Sequence, residues 1–297
     1  MRPALLLFAA SLAVSAQTGT IAEKTKGMLA MPGYFPLYYE AKTGKLLMEI
    51  PRWNVDFLYV HSLPSGVGSN DIGLDRGQIG GSTIVRFERR GPKAMLVEPN
   101  QAYRAVTPDE NERRAVEQSF AQSILWGFNV EAEEGATALV DATAFFLRDA
   151  HRIPETLTDE KQGTFTLDAT RCAMYPERTK GFPRNTEVEA ILTFSGHEPG
   201  AWVRSVTPSP ESLTVHEHHS FVALPDRPFT TRVYDPRAGL YAIHFMDYAT
   251  PISEPIMKRL TTRHRLEKRD PNAAVSDAVQ PIVYYLDPGT PEPMRSA

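Results

Sequence analysis

Apolar and polar positions change their period several times along this chain. Short runs bounded by Pro, Gly or Asn begin with KLLMEI at 45–50 and continue with DFLYVH at 56–61, STIVRFER at 82–89 and a run at 94–97. Runs of this kind read as strands. Val85-Arg86-Phe87-Glu88 alternates and leads through Arg89-Arg90-Gly91-Pro92 into the next run, which predicts a hairpin. The period changes at 107–110: Thr107 can cap, Pro108 suits a first helical position, and acidic residues fill the first turn. Val116, Phe120, Ile124 and Phe128 then recur at helical spacing, predicting a helix from 108 to about 125 whose apolar stripe packs on a sheet. Strands are expected again at 128–132 and 138–140, a second helix at 142–150, and further strands at 164–167, 186–194, 212–222, 241–245 and 282–286. Strands that follow one another without regular helical crossovers imply an α+β fold, mainly antiparallel β-sheet with one or two inserted helices.

The stretch 62–90, SLPSGVGSNDIGLDRGQIGGSTIVRFERR, holds Gly66, Gly68, Gly73, Gly77, Gly80 and Gly81. Glycines let the backbone take positive φ and make close approaches, so the loop is shaped rather than slack. Loops of such length in a compact domain tend to be functional or disordered. Nucleotide binding is disfavoured, because no GxGxxG pattern forms and no helix opens behind the glycines. Asp71, Asp75 and Arg76 are the interface candidates; the competing reading is that they cap turns or pair locally.

The same region carries a resemblance. PGYFPLYYEAKTGKLLMEIPRWNVDFLYVHSLPSGVGSNDIGLDRGQIGG, running on through IVRFERRGPKAMLVEPN, resembles the N-terminal region of a family of exported bacterial zinc-dependent metalloproteases. The likeness continues through ERRAVEQSFAQSILWGF, LVDATAFFLRDAH, RTKGFPRNTEVEA, HHSFVALPD, DYATPISEP, RHRLEKRDP and AVQPIVYYLDPGTPEPMRSA, from about Gly33 to Ala297. The resemblance implies a β-rich domain of unknown function placed ahead of a metzincin-like catalytic domain. Zinc then belongs to an HExxHxxGxxH motif further downstream, no cofactor is expected in this chain, and the partner is that downstream catalytic domain.

Segments follow from composition along the chain. Residues 1–16 read as a secretory signal peptide, with Arg2 ahead of an apolar run and small residues at Val14-Ser15-Ala16. Residues 17–32 read as a flexible entry segment, 33–225 as the β-rich N-terminal domain, and 226–297 as its continuation and the start of a linker toward a missing catalytic domain. A weak boundary is expected at 225–236, DRPFTTRVYDP with its flanking proline. The chain is therefore expected to be exported, periplasmic or extracellular, with no membrane span after signal removal. PGTPEPMRSA reads as a linker leading into a helix, which makes a truncated product the expectation. With 42% hydrophobic and 23% charged residues and a net charge of −4, the chain has no electrostatic footprint for nucleic acid. The single Cys172 cannot form an intrachain disulfide and is expected as a small buried hydrophobe.

Candidate chemistry centres on His216-Glu217-His218-His219-Ser220. It begins like a zinc-protease motif, yet HExxH needs its second histidine at 220, where Ser220 stands, and it needs a helix. The run reads instead as a strand, with His216 and His218 on one face and Glu217 and His219 on the other. His216 and His218 are the metal candidates, although solvated or hydrogen-bonded histidines are the commoner outcome. Around Cys172 only the Arg-Cys pair matches the inhibitory cysteine switch of some metzincins. The basic loop 178–185 reads as a solvated turn, and 263–270 as an edge strand carrying charge pairs. No GxSxG elbow is present. No catalytic residue can be assigned, which leaves two functional readings. One is a scaffold for a zinc protease, inactive alone; the other is a self-sufficient exported β-rich module that binds a peptide or glycan.

Overall fold

The computed structural model describes residues 19–296. The expected signal peptide lies outside the described residues. The chain divides into two compact units, Met1–Pro99 with Gln122–Leu224, and Asn100–Ala121 with Pro225–Ala297.

The first unit opens with α1 (Ile21–Lys24), closed by a capping box in which Thr20 and Glu23 bond each other's backbone. Then come β1 (Leu29–Met31), β2 (Leu37–Glu40), β3 (Lys45–Ile50), β4 (Phe57–Ser65), β5 (Gln78–Arg90) and β6 (Lys93–Glu98). Residues 19–32, expected as a flexible lead-in, thus hold a helix and a strand; Ile21 is buried with Leu47, Ala132 and Leu139. After the excursion into the second unit, β8 (Ser123–Glu134), β9 (Thr137–Asp141), α3 (Thr143–Phe146), α4 (Ile153–Asp159), β10 (Thr164–Leu167), β11 (Ala173–Met174), β12 (Lys180–Phe182), β13 (Asn185–His197), α5 (Ala201–Val206) and β14 (Ser212–Ala223) follow. Among the described residues, thirteen strands join in one sheet with the path β1-β2-β3-β9-β8-β6-β5-β4-β14-β13-β10, while β11 and β12 pair with β13. All these pairings are antiparallel.

The sheet curls until its far regions meet. Phe35, just before β2, contacts the rings of Phe57, Phe87 and Phe221. Its backbone is bonded by Thr186 of β13, whose hydroxyl accepts from Phe35 N at 2.9 Å and donates to Phe35 O at 3.0 Å. Gly33 and Gly181 permit this approach, since a Cβ on Gly33 would stand 2.5 Å from Gly181 Cα. Each fully buried phenylalanine contributes on the order of 1.5–3 kcal/mol, so the shared aromatic core is what holds the curl.

The glycine-rich loop contracts to 66–77, because both flanking strands run further than the sequence suggested. Val67, Ile72 and Leu74 are buried in a cluster with Leu63, Ile153, Phe165 and Val203. Val67 N donates to Leu74 O at 2.9 Å and Gly77 N to Leu63 O at 2.6 Å. The loop is anchored by its apolar residues, and its glycines turn the chain, with Gly68, Gly73 and Gly77 at positive φ.

The second unit contains β7 (Tyr103–Arg104), α2 (Glu110–Ser119), β15 (Ala242–Asp247), β16 (Met257–Thr261) and α6 (Glu292–Arg295). Its three-stranded sheet runs β16-β15-β7, with a parallel β7–β15 pair. Phe120, at the end of α2, stacks on Tyr103 at 4.1 Å and meets Tyr248 at 5.1 Å.

Three expected elements differ. The helix expected over 108–125 is α2 alone, capped by Asp109; residues 123–125 belong to β8, where Ile124 pairs with Val97. The second helix, expected over 142–150, stops after the single turn of α3. Residues 282–286 form no strand, and the run from Arg263 lies beyond β16, where Arg263 and Arg265 rest on the Phe229 ring.

Candidate functional site

The alternation of β14 places Leu213, Val215, Glu217, His219 and Phe221 inward and His216 and His218 outward, as the sequence indicates. On the outward face both histidines are held by β13: His216 Nδ1 lies 2.7 Å from Glu189 Oε1, and His218 Nε2 lies 2.8 Å from Glu187 Oε2. Ser220 and Asn185 add donors to Glu187 at 2.5 Å each. Burial pushes the Glu187 carboxyl up, but the bonds from His218, Ser220 and Asn185 outweigh it and leave the pKa lowered. Among the described residues, no group of three or more His, Cys, Asp or Glu side chains is placed to hold a metal ion. His218 and these glutamates line a cleft of about 420 Å³ together with Arg178, Lys180 and Phe182.

The inward face carries the denser chemistry. Glu217 has no exposed surface, yet a carboxyl group there needs donors. It takes the Ala150 N–H on both oxygens, at 3.0 and 3.2 Å. The last helical bond is Leu147 N–H to Thr143 O, and the Ala150 N–H, which a continued helix would send to Phe146 O, goes to Glu217 instead. Burial, reinforced by Asp149, pushes Glu217 up to about 8. The group therefore carries a proton at neutral pH.

His219, 1% exposed, is driven well below the ordinary histidine range by burial and is neutral. Tyr59 OH lies 2.9 Å from its Nδ1. The phenol oxygen already receives both Arg148 amino groups, at 3.3 and 3.1 Å, so its own proton goes to His219 Nδ1. The imidazole proton then sits on Nε2, which has no hydrogen-bond partner and faces Glu217 Oε1 at 3.7 Å.

A second histidine pair can be assigned in the same way. Gly81 N–H donates to His61 Nε2 at 2.8 Å, which places the His61 proton on Nδ1. That proton points at His151 Nδ1, 3.3 Å away, and His151 Nε2–H points in turn at Gln78 Oε1, 3.4 Å away. Both rings must be neutral for this chain of donors to hold. Burial lowers both, His61 to about 4. Gly80 makes this edge-to-face pair possible, because a Cβ there would meet His61 Cε1 at 2.3 Å and His151 Nδ1 at 2.7 Å.

His61 also lines a cleft of about 500 Å³, together with Tyr59, Thr83, Glu98, Leu125, Arg148 and Asp149. Arg148 lies over the Phe145 ring at 4.2 Å. Asp149 caps Ile153 N at 3.0 Å, ahead of α4, and burial raises its pKa. The sequence singled out none of Tyr59, His61, Arg148, His151 or Glu217 as a group.

The other expected residues lie elsewhere. Asp71 and Arg76 are exposed on the 66–77 loop, Asp75 is half-buried there, and Arg76 is engaged by another group. Cys172 is half-buried, its Sγ 3.2 Å from Asp168 O, and burial raises its pKa.

Fold and site together define a β-rich α+β protein with a polar cleft lined by the neutral His61 beside Arg148 and Glu98. The chain belongs to a family described as a domain of unknown function (DUF5117), whose model matches residues 77–269. The match takes in β5 to β16, and with them Glu98, Arg148, His151, Glu217 and His219. No curated protein and no solved structure matches this chain. No helix among the described residues is long and apolar enough to cross a membrane.

Proposed function

We propose that this chain is the non-catalytic N-terminal scaffold of an exported zinc-dependent metalloprotease, and that it supports a downstream HExxH domain of the same protein, which supplies the zinc. The observation that carries this reading is the apolar run 279–286. Val283, Tyr284, Tyr285 and Leu286 stand exposed there, the two tyrosines at 84% and 92%. Apolar side chains gathered in this way mark a surface that another protein element covers. The histidines support the same reading: His216 and His218 are held by glutamates, and His61 and His151 by Gly81, Gln78 and each other. Asp71, Asp75 and Arg76, on the 66–77 loop of the first unit, are proposed as a separate contact with that domain. Export through the 1–16 leader completes the proposal.

Metal analysis of the purified chain, with a broad peptide-cleavage assay, tests the non-catalytic part. Less than stoichiometric zinc and no chelator-sensitive cleavage are expected; one zinc per chain with such cleavage overturns it. Association with the HExxH domain encoded in frame downstream tests the scaffold. Binding should bury Tyr284 and Tyr285, and replacing Asp71 and Asp75 by alanine should weaken it while leaving the melting temperature of the isolated chain unchanged.

A second reading, a self-sufficient module for a peptide or glycan, is favoured by the 420 Å³ cleft, where the exposed Phe182 ring and the cations Arg178 and Lys180 face His218. A downstream stop codon with no HExxH motif would support it.

A further inference from the structure

The 500 Å³ cleft holds two charges that the protein leaves unmatched. Arg148 directs two amino groups at the Tyr59 phenol and stacks on Phe145, and no carboxylate among the described residues lies within ion-pair distance of it. The groups beneath it do not neutralise it: His61 and His219 are uncharged, and Glu217 keeps its proton at neutral pH. On the same cleft wall Glu98 accepts from Thr83 Oγ1 at 2.5 Å and has no cationic partner among the described residues. Arg148 and Glu98 are also too far apart to pair with each other. A half-buried guanidinium with free donors in a cavity is a site for an anion, and its planar fork suits a carboxylate. Glu98 in the same cavity disfavours a dianion such as phosphate and offers a partner for an ammonium group. Leu125 adds an apolar side chain to the cleft lining.

We infer that this cleft binds a small zwitterion, an unblocked amino acid or short peptide, with the ligand carboxylate on Arg148 and its ammonium group on Glu98. The volume, about 500 Å³, is of the size that encloses a small ligand. Ser82 and Thr83 line the cleft beside Glu98, and the Thr83 hydroxyl, which donates to Glu98, orients that carboxylate. This inference stands on the first unit alone and holds whichever of the two proposed functions is correct.

Calorimetric titration of the purified chain with alanine, dialanine and trialanine tests it, beside dialanine amide, N-acetyl-dialanine and inorganic phosphate. At least one unblocked ligand should bind saturably, and either blocked form should weaken binding roughly tenfold or more, the loss expected for one charge-assisted contact. Arg148→Met keeps the aliphatic stem over Phe145 and should remove the preference for a free carboxylate. Glu98→Gln should weaken dialanine while leaving N-acetyl-dialanine unchanged. If Arg148→Met does not fold, the blocked ligands still decide. Equal binding of blocked and unblocked peptides, tighter binding of phosphate, or no saturable binding of any unblocked ligand at millimolar concentration overturns the inference.

Discussion

Glu217 and three histidines, His61, His151 and His219, give this protein opposing pH responses. The folded Glu217 keeps a proton up to about pH 8, whereas a carboxyl in an unfolded chain releases it near 4.5. Between those values the folded state binds more protons, so stability falls as pH rises through the window. His61, His151 and His219 act in the other sense: their folded pKa values lie below the ordinary 6.5, so stability is full above that value and is lost as pH falls, for His61 down to about 4. Only about a unit above 6.5, once the unfolded histidines have also lost their protons, does the Glu217 effect act alone. The melting temperature of the native protein should therefore decline from about pH 7.5 through the Glu217 titration, and Glu217→Gln, which keeps an acceptor for Ala150 N, should flatten that decline. An unchanged slope in the variant would show that Glu217 titrates in its normal range. Gly80→Ala belongs to the same site. Its Cβ would enter the His61 and His151 rings, so a loss of about 1–3 kcal/mol in urea unfolding is expected, of the kind overpacking produces. Adding His61→Ala should recover part of that loss, because a double-mutant cycle reads their contact directly.

At the scale of elements, sequence pattern placed β3 and β10 at their observed ends, because each is a short run rich in apolar residues and set between turn residues, Gly44 and Pro51 for β3, Gly163 and Asp168 for β10. It extended α2 too far, since Ile124 continues the helical period but is claimed by pairing with Val97 across β6. It ran the second helix past α3, and the partner that Ala150 N–H takes in place of a helical carbonyl, a carboxyl on β14, is 67 residues away. The site was half legible. Strand alternation separated His216 and His218 from Glu217 and His219, yet attention went to the outward pair with its zinc-like spacing. His61 and His151 stand 90 residues apart, and nothing local links them. The one available signal was the Gly80-Gly81 pair, where side chains had been removed to admit the rings. The 66–77 loop shows which part of a glycine-rich stretch carries its order. Leu74 is fully buried, and Leu74→Ala should cost about 2–5 kcal/mol by chemical denaturation, the range for truncating a buried leucine. Asp71→Ala, at an exposed position, should leave the denaturation midpoint where it is. Equal effects at both positions would mean that the loop is not held by its apolar anchors.

At the scale of the molecule, the two units bury very different amounts of apolar surface. All three hydrophobic clusters lie in the first, whereas the buried apolar residues of the second are Val116 and Phe245. Its remaining order rests on polar bonds such as Asp247 Oδ1 accepting from Val106 N at 2.9 Å, and on the stacking of Tyr103 and Phe120. A unit with so few buried apolar contacts opens at lower free energy than one built around an aromatic core. Hydrogen exchange should therefore show β15 and β16 exchanging through an opening that leaves β4, β5, β13 and β14 protected, and limited proteolysis should cut within 225–297 first. Denaturation followed by a probe in each unit should give two transitions, the second unit melting earlier. If the exposed 279–286 run is the docking surface of a catalytic domain, adding that domain should raise protection in the second unit while the core strands β4, β5, β13 and β14 of the first exchange as before. A single coincident transition, with equal protection across both units, would show that the second unit draws its stability from the whole chain and needs no partner to complete it.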